Sequence, residues 1–139
     1  MAITNIYEQL RRDEGVQYDV YMDTEGFLTL GVGHRLRGRP LSDKAVEQIL
    51  KDDLEGITAE LVGAYPWAAR LSPARFGALQ NLAFNVGVAG VGTFKKMLTA
   101  IQGEDWEGAA RELLDSKYAR QVKERAVRLA KQLETSRWQ

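Results

Sequence analysis

The sequence predicts a chain of mixed α and β structure, with one short β-hairpin region near its start and helices elsewhere. Three observations carry this expectation. From Tyr18 to His34 the character changes to β-branched and aromatic residues with turn chemistry. Apolar residues recur at i, i+3 and i+4 from Ala45 to Leu61, and beyond Trp67 only helical patterns can be read. With 139 residues, 45% of them hydrophobic and 9% aromatic, the chain can bury one ordinary core and is expected to fold alone.

Taken in order, Asn5-Ile6-Tyr7-Glu8 has the spacing of an N-cap with an acceptor three residues on, and Gly15 stops the periodicity that follows. A first helix should end near Glu14. Asp23-Thr24-Glu25-Gly26 separates the run YDVYM from FLTLGVGH, which predicts a hairpin with room for a third short strand. Pro40 and Ser42 introduce a helix expected to run to about Val62, with Gly63 and Pro66 beyond it. Ser72 and Pro73 have the chemistry of an N-cap and a first helical residue. Later breaks are expected at the glycines of residues 87–92 and at Gly103, with Asp105 capping the next helix.

Residues 76–94 carry no charge, yet they contain Gln80, Asn81, Asn85 and four glycines. Such a run would leave polar amides in lipid, so a buried helix followed by a turn is expected and membrane insertion is not. The glycines at 87, 90 and 92 do not form a phosphate loop, because no strand precedes them and no Gly-Lys-Ser/Thr follows. The chain has no cysteine and a single histidine, His34, so neither disulfides nor a usual zinc site is expected. No metal is assigned. The N-terminus has no apolar core of a secretory signal.

Formal charge is zero, but its distribution is uneven. Residues 1–69 hold 7 basic and 12 acidic side chains, and residues 70–139 hold 12 and 7. After Ser116 seven Lys and Arg face only Glu124 and Glu134. That end suits an anionic polymer, and a solvated helix face gives the same pattern. Zero net charge and the absence of a recognised DNA-binding motif argue against nucleic acid as partner.

The chemistry-bearing stretch is residues 14–34. Hydrolysing a glycosidic bond needs one protonated carboxyl group for the leaving oxygen and one ionised carboxylate to support positive charge or activate water. Glu14 stands where a helix ends, and the negative end of the macrodipole disfavours a further negative charge there, which suits an acid. Asp23, beside a turn with free backbone amides and water, has reason to stay ionised, which suits a base or nucleophile. Asp23 is equally well explained as the first residue of a hairpin turn, and Thr29 as an ordinary strand residue.

Glu14-Gly15, then Tyr21-Met22-Asp23-Thr24-Glu25-Gly26-Phe27, then Thr29-Leu30-Gly31-Val32-Gly33-His34 strongly resemble the catalytic segment of the T-even phage lysozymes, glycoside hydrolase family 24. The spacing of Glu14, Asp23 and Thr29 is that of the family signature. Further resemblance runs through Phe84-Asn85-Val86-Gly87, Gly92-Thr93-Phe94 and Arg125-Ala126-Val127-Arg128 to Trp138.

The resemblance implies an α+β, lysozyme-like fold in one domain. A hairpin lobe would cover about 15–41, a connecting helix about 42–62, and a mainly helical lobe about 67–139 together with the N-terminal helix. It also implies cofactor-free, inverting hydrolysis of the β-1,4 bond between N-acetylmuramic acid and N-acetylglucosamine in peptidoglycan. Glu14 would be the acid, Asp23 would help activate water, and Thr29 would help hold it. Leu30, Phe84, Asn85 and Arg125 would line the substrate cleft, with Arg125 matching an arginine that pairs with the catalytic glutamate and so opposes the helix-end effect. His34 and Asp53 would form a structural salt bridge. A monomer is expected, held in the host cytoplasm until a separate membrane lesion releases it to the wall. Between His34 and the long helix this sequence is shorter than its relatives, and Arg35, Arg37 and Arg39 there would either meet carboxylates of the wall's stem peptides or serve solubility. The competing readings are a lytic transglycosylase, which would need Glu14 alone, and a glycan-binding module without turnover.

Overall fold

The computed structural model describes residues 2–139, which form two compact units, one ending at Gln48 and one spanning Ile49–Gln139. The first unit opens with α1, Ile6–Glu14. Its cap is the expected one: extended Asn5 accepts the Glu8 amide on its side chain at 3.0 Å, and the Glu8 carboxylate in turn accepts from the Thr4 amide at 2.8 Å. Gly15 ends the helix at φ 77°, where its N–H reaches the Arg11 carbonyl.

Three antiparallel strands follow, β1 (Gln17–Met22), β2 (Leu28–Gly31) and β3 (His34–Arg35), in that spatial order. Tyr21 pairs with Thr29 and Met22 with Leu28, while the register shifts between Gln17 and Tyr21, so β1 bends within its length. Thr29 also faces Arg35, and Leu30 faces His34. Among the described residues of this unit Thr29 alone is buried, at 2% exposure.

Helix α2, Asp43–Ala64, starts in the first unit and ends in the second. It runs through Gly63, past the expected end. Pro66 then opens a 3₁₀ helix, Pro66–Arg70, that the sequence reading did not separate from a plain break. Helix α3, Pro73–Val91, begins as expected with Ser72 as cap and Pro73 in the first turn, and it breaks at Gly87, whose φ of 79° and ψ of 159° are non-helical. The charge-free run of residues 76–94 lies within α3 and the turn after it. Among the described residues no helix is long and apolar enough to cross a membrane.

The remaining helices are α4 (Lys95–Gln102), α5 (Trp106–Leu114), α6 (Lys117–Val122) and α7 (Glu124–Thr135). Asp105 and Ser116 cap α5 and α6, accepting from the Gly108 and Ala119 amides at 3.0 and 3.1 Å. The junction of α6 and α7 is Lys123 at φ 46°, a positive value without a glycine to announce it.

The core belongs to the second unit, with Leu61, Leu79, Leu82, Val91, Met97, Ile101, Leu113 and Leu133 all but sealed from water. Helix α5 packs on α4 and α7, and α7 packs on α3. Polar clamps lock the start of α3 to the end of α7. Arg75 donates to the Leu133 and Glu134 carbonyls at 2.6 and 2.9 Å while its guanidinium lies 3.7 Å over the Trp106 ring. Buried Gln132 donates to the Ala74 carbonyl at 2.7 Å, and a side chain on Gly77 would collide with the Trp138 ring. The Leu133 and Glu134 carbonyls in the last turn of α7 are thereby satisfied.

Candidate active site

Glu14 is the last residue of α1, and the Gly15 turn leaves its side chain exposed. The carboxyl group lies against Gly33, in the turn between β2 and β3: a β-carbon at position 33 would stand 3.0 Å from Glu14 Oε2. Gly33 itself sits at φ 62°, a left-handed conformation that glycine adopts without strain. Two independent reasons therefore place a glycine beside this carboxyl group.

Asp23 occupies the mouth of the hairpin. Its Oδ1 accepts the amides of Glu25 at 2.9 Å and Phe27 at 2.8 Å, the pattern of an Asx turn extended by one more donor. Arg35 approaches the other oxygen, with Nε 3.3 Å from Oδ2. The Phe27 amide, then the Glu25 amide and the Arg35 charge, outweigh partial desolvation and hold the Asp23 carboxyl below the usual carboxylate range. The group is thus kept ionised, by hydrogen bonds more than by charge.

Thr29 Oγ1 donates to the Phe27 carbonyl at 2.8 Å, and that carbonyl also accepts the Asp23 amide at 2.9 Å. Phe27 thereby ties Thr29 to Asp23 through two hydrogen bonds. With its O–H engaged in that bond, the hydroxyl has only acceptor capacity left. Leu30 and His34 are partly buried partners across β2 and β3.

The sequence alone gives Arg35 as a loop cation that serves either the wall's carboxylates or solubility. In the structure it closes β3, binds the Glu25 carboxylate, approaches Asp23 and lies with its guanidinium 4.3 Å over the Phe27 ring. The sequence signal was available: a turn at Gly31-Val32-Gly33 puts Arg35 opposite Thr29, provided the third strand extends one residue past His34. Arg37 and Arg39 are exposed.

In the second unit Phe84 and Asn85 are exposed near the end of the first segment of α3, just before the Gly87 break. Arg125, on α7, grips Asn81 Oδ1 with two donors at 3.0 and 2.8 Å. Phe84 and Arg125 come together in a groove of about 320 Å³, lined also by Leu50, Leu54, Gln80 and Trp138, whereas Asn85 does not line it. Asp53 is exposed on α2 and shares a shallow hollow with Phe84. A larger open hollow of about 650 Å³ near Lys95 and Tyr118 is lined by none of the residues assigned from sequence. Among the described residues no group of three or more His, Cys, Asp and Glu is placed to hold a metal ion.

Comparison with known proteins places these features in a family. A family model described as phage lysozyme matches residues 11–134. The chain is 34% identical to the pre-baseplate central spike protein Gp5 of Enterobacteria phage T4, an alignment covering 88% of this chain and 26% of that protein's length. It is 25% and 27% identical to the probable T4-type lysozymes 1 and 2 of Dictyostelium discoideum, covering 96% of this chain and 95% of each relative. The chain therefore spans about a quarter of the spike protein and nearly all of the two amoebal proteins. With a helix-rich α+β fold, a small three-stranded sheet and a family match over most of its length, the chain belongs to the phage lysozyme family.

Proposed function

We propose that this chain is a muramidase that hydrolyses the β-1,4 bond between N-acetylmuramic acid and N-acetylglucosamine in bacterial peptidoglycan, by acid and base catalysis with two carboxyl groups and no cofactor. The observation that carries the reading is the difference between the two carboxyl environments. Asp23 is held ionised by two backbone amides and a guanidinium, while Glu14 is exposed at a helix end against a bare glycine backbone.

In this mechanism Glu14 gives its proton to the glycosidic oxygen as the bond to the anomeric carbon breaks. Asp23 takes a proton from a water that attacks the opposite face of the sugar, and its charge supports the oxocarbenium-like transition state. Thr29 helps hold that water as an acceptor, in keeping with a hydroxyl whose proton is already engaged. The product has the inverted anomeric configuration. Leu30, Phe84, Asn85 and Arg125 contact the glycan, with Phe84 offering an apolar face and Asn85 and Arg125 polar groups. His34 and Asp53 serve the scaffold. The protein acts as a monomer, accumulates in the host cytoplasm and lyses the host once released to the wall.

The test is turbidity clearing of purified peptidoglycan by wild type, Glu14→Gln and Asp23→Asn, with mass spectrometry of the released fragments. Loss of clearing in both folded variants, with reducing muramic acid ends from wild type, supports the reading. Anhydro ends would make it a transglycosylase, and binding without clearing would make it a glycan-binding module.

A further inference from the structure

Asp23 is held from two sides, and only one of them is backbone. Its Oδ1 is occupied by the Glu25 and Phe27 amides, which belong to the turn itself. The other oxygen meets Arg35, which arrives from a different strand. The Arg35 side chain is itself held in place: its terminal nitrogen binds Glu25, and Phe27 lies beneath the guanidinium plane. A planar guanidinium can serve two carboxylates and an aromatic face at once, which an ammonium cannot do with the same geometry. This is also a poor arrangement for catching a distant anion, because the guanidinium is already committed to two carboxylates of its own unit.

The geometry points to Arg35 as a positioning residue for the proposed reaction: it holds the second oxygen of Asp23, which the turn amides leave free, while Glu25 and Phe27 hold Arg35 in place. The inference rests on the muramidase reading for its link to turnover, but the contact between Arg35 and Asp23 stands apart from it. Among the described residues the charged side chain acting on Asp23 is Arg35, from β3, and Glu25, from the same turn as Asp23, binds Arg35. The neighbouring strand pair contributes Tyr21 from β1 and Thr29 from β2. Arg35 is therefore the cation whose removal should be felt. An opposite charge favours the ionised form, so its loss lets Asp23 take up a proton at higher pH.

The test compares wild type, Arg35→Gln and Arg35→Lys. The readouts are thermal unfolding, a carbon-13 NMR titration of the Asp23 carboxyl, and the pH profile of kcat and KM on soluble peptidoglycan fragments. In Arg35→Gln the Asp23 titration and the acid limb of kcat/KM should move upward together by about half a pH unit, a modest shift because the pair is partly exposed to solvent. At neutral pH kcat should fall roughly tenfold with KM little changed, as expected when a reacting group loses its alignment. Arg35→Lys should recover part of the titration shift and less of the kcat. An Asp23 titration equal to that of wild type overturns the inference, and so does a rise in KM alone, which would make Arg35 a substrate contact. If wild type releases no fragments the muramidase reading fails, and the NMR titration still decides whether Arg35 holds Asp23. Should Arg35→Gln fail to fold, Arg35→Met, which keeps an apolar stem over Phe27 without the charge, carries the same comparison.

Discussion

The carboxyl group of Glu14 lies so close to the backbone of Gly33 that a β-carbon there would stand 3.0 Å from its Oε2. The end of α1 and the turn between β2 and β3 are thus coupled through one missing side chain. Gly33→Ala meets two penalties, a residue at φ 62° and a crowded carboxyl group. The first should cost about 1 kcal/mol of stability. The second should shift the Glu14 carboxyl by a few tenths of an ångström and lower wall clearing severalfold, less than the roughly hundredfold scale of a misplacement of about an ångström. Gly38→Ala is the control, with φ 84° and nothing within 4 Å of the new carbon. It should lose stability but keep its clearing rate. Equal activity in the two variants would deny any role to the contact.

Thr29→Val separates shape from hydroxyl chemistry. Valine fills the same buried volume, and the Phe27 carbonyl keeps the Asp23 amide as a donor, so the lost hydrogen bond should cost no more than about 1 kcal/mol. Clearing should fall far more than that loss explains, and Thr29→Ser should restore much of it. Urea unfolding paired with turbidity assays gives both numbers. A Val variant that clears like wild type would leave Thr29 a purely structural role.

Tyr118 tests an unmet hydroxyl. Its ring packs edge-on to Phe94 at 5.9 Å, and its OH is buried without a hydrogen-bond partner. Removing that group in Tyr118→Phe should raise stability by about 1 kcal/mol, because a buried unpaired hydroxyl costs more than an apolar replacement. Burial also pushes the phenol above its usual value, with Arg125 pulling weakly the other way. The folded protein therefore keeps this proton to higher pH than the unfolded chain. The associated stability is fully present below about pH 10, the ordinary tyrosine value, and is lost as pH rises through the higher folded value. Urea unfolding at neutral and alkaline pH should show the advantage of Tyr118→Phe widening at the alkaline end. A variant less stable than wild type at neutral pH would mean that the hydroxyl has a partner.

Arg75→Ala should destabilise the protein by about 2 kcal/mol, the scale of losing charge-assisted bonds to two helix-end carbonyls together with a cation–π contact. Arg75→Lys should recover less than half, because one ammonium cannot span the Leu133 and Glu134 carbonyls and cover Trp106 as the guanidinium does. Calorimetry of the three proteins decides this, and a neutral Arg75→Ala would show that α7 holds its end by packing alone.

Local chemistry made most of the fold legible from sequence. Asn5, Ser72, Asp105 and Ser116 each accept an amide within their own next turn. Gly15 and Gly87 adopt the backbone that ends or breaks a helix. Caps and glycine breaks act over three or four residues, so pattern and outcome lie in the same short window. Lys123 shows the limit, since it takes a positive φ at the junction of α6 and α7 with no residue-level signal. The 3₁₀ turn after Pro66 was hidden for a related reason, because proline marks a helix start and a helix break alike.

The site divides along the same line. By itself the sequence determined the cap and end of α1, the hairpin turn at Asp23, and the spacing of Glu14, Asp23 and Thr29 that carries the family resemblance, because each depends on near neighbours. Only the tertiary structure decided that Gly33 makes room for Glu14, that Arg35 rather than backbone alone holds Asp23, and that Arg125 grips Asn81 beside Phe84. These contacts join residues brought together by strand register and helix packing, and register converts a one-residue difference in where a strand ends into a different side chain at the carboxylate.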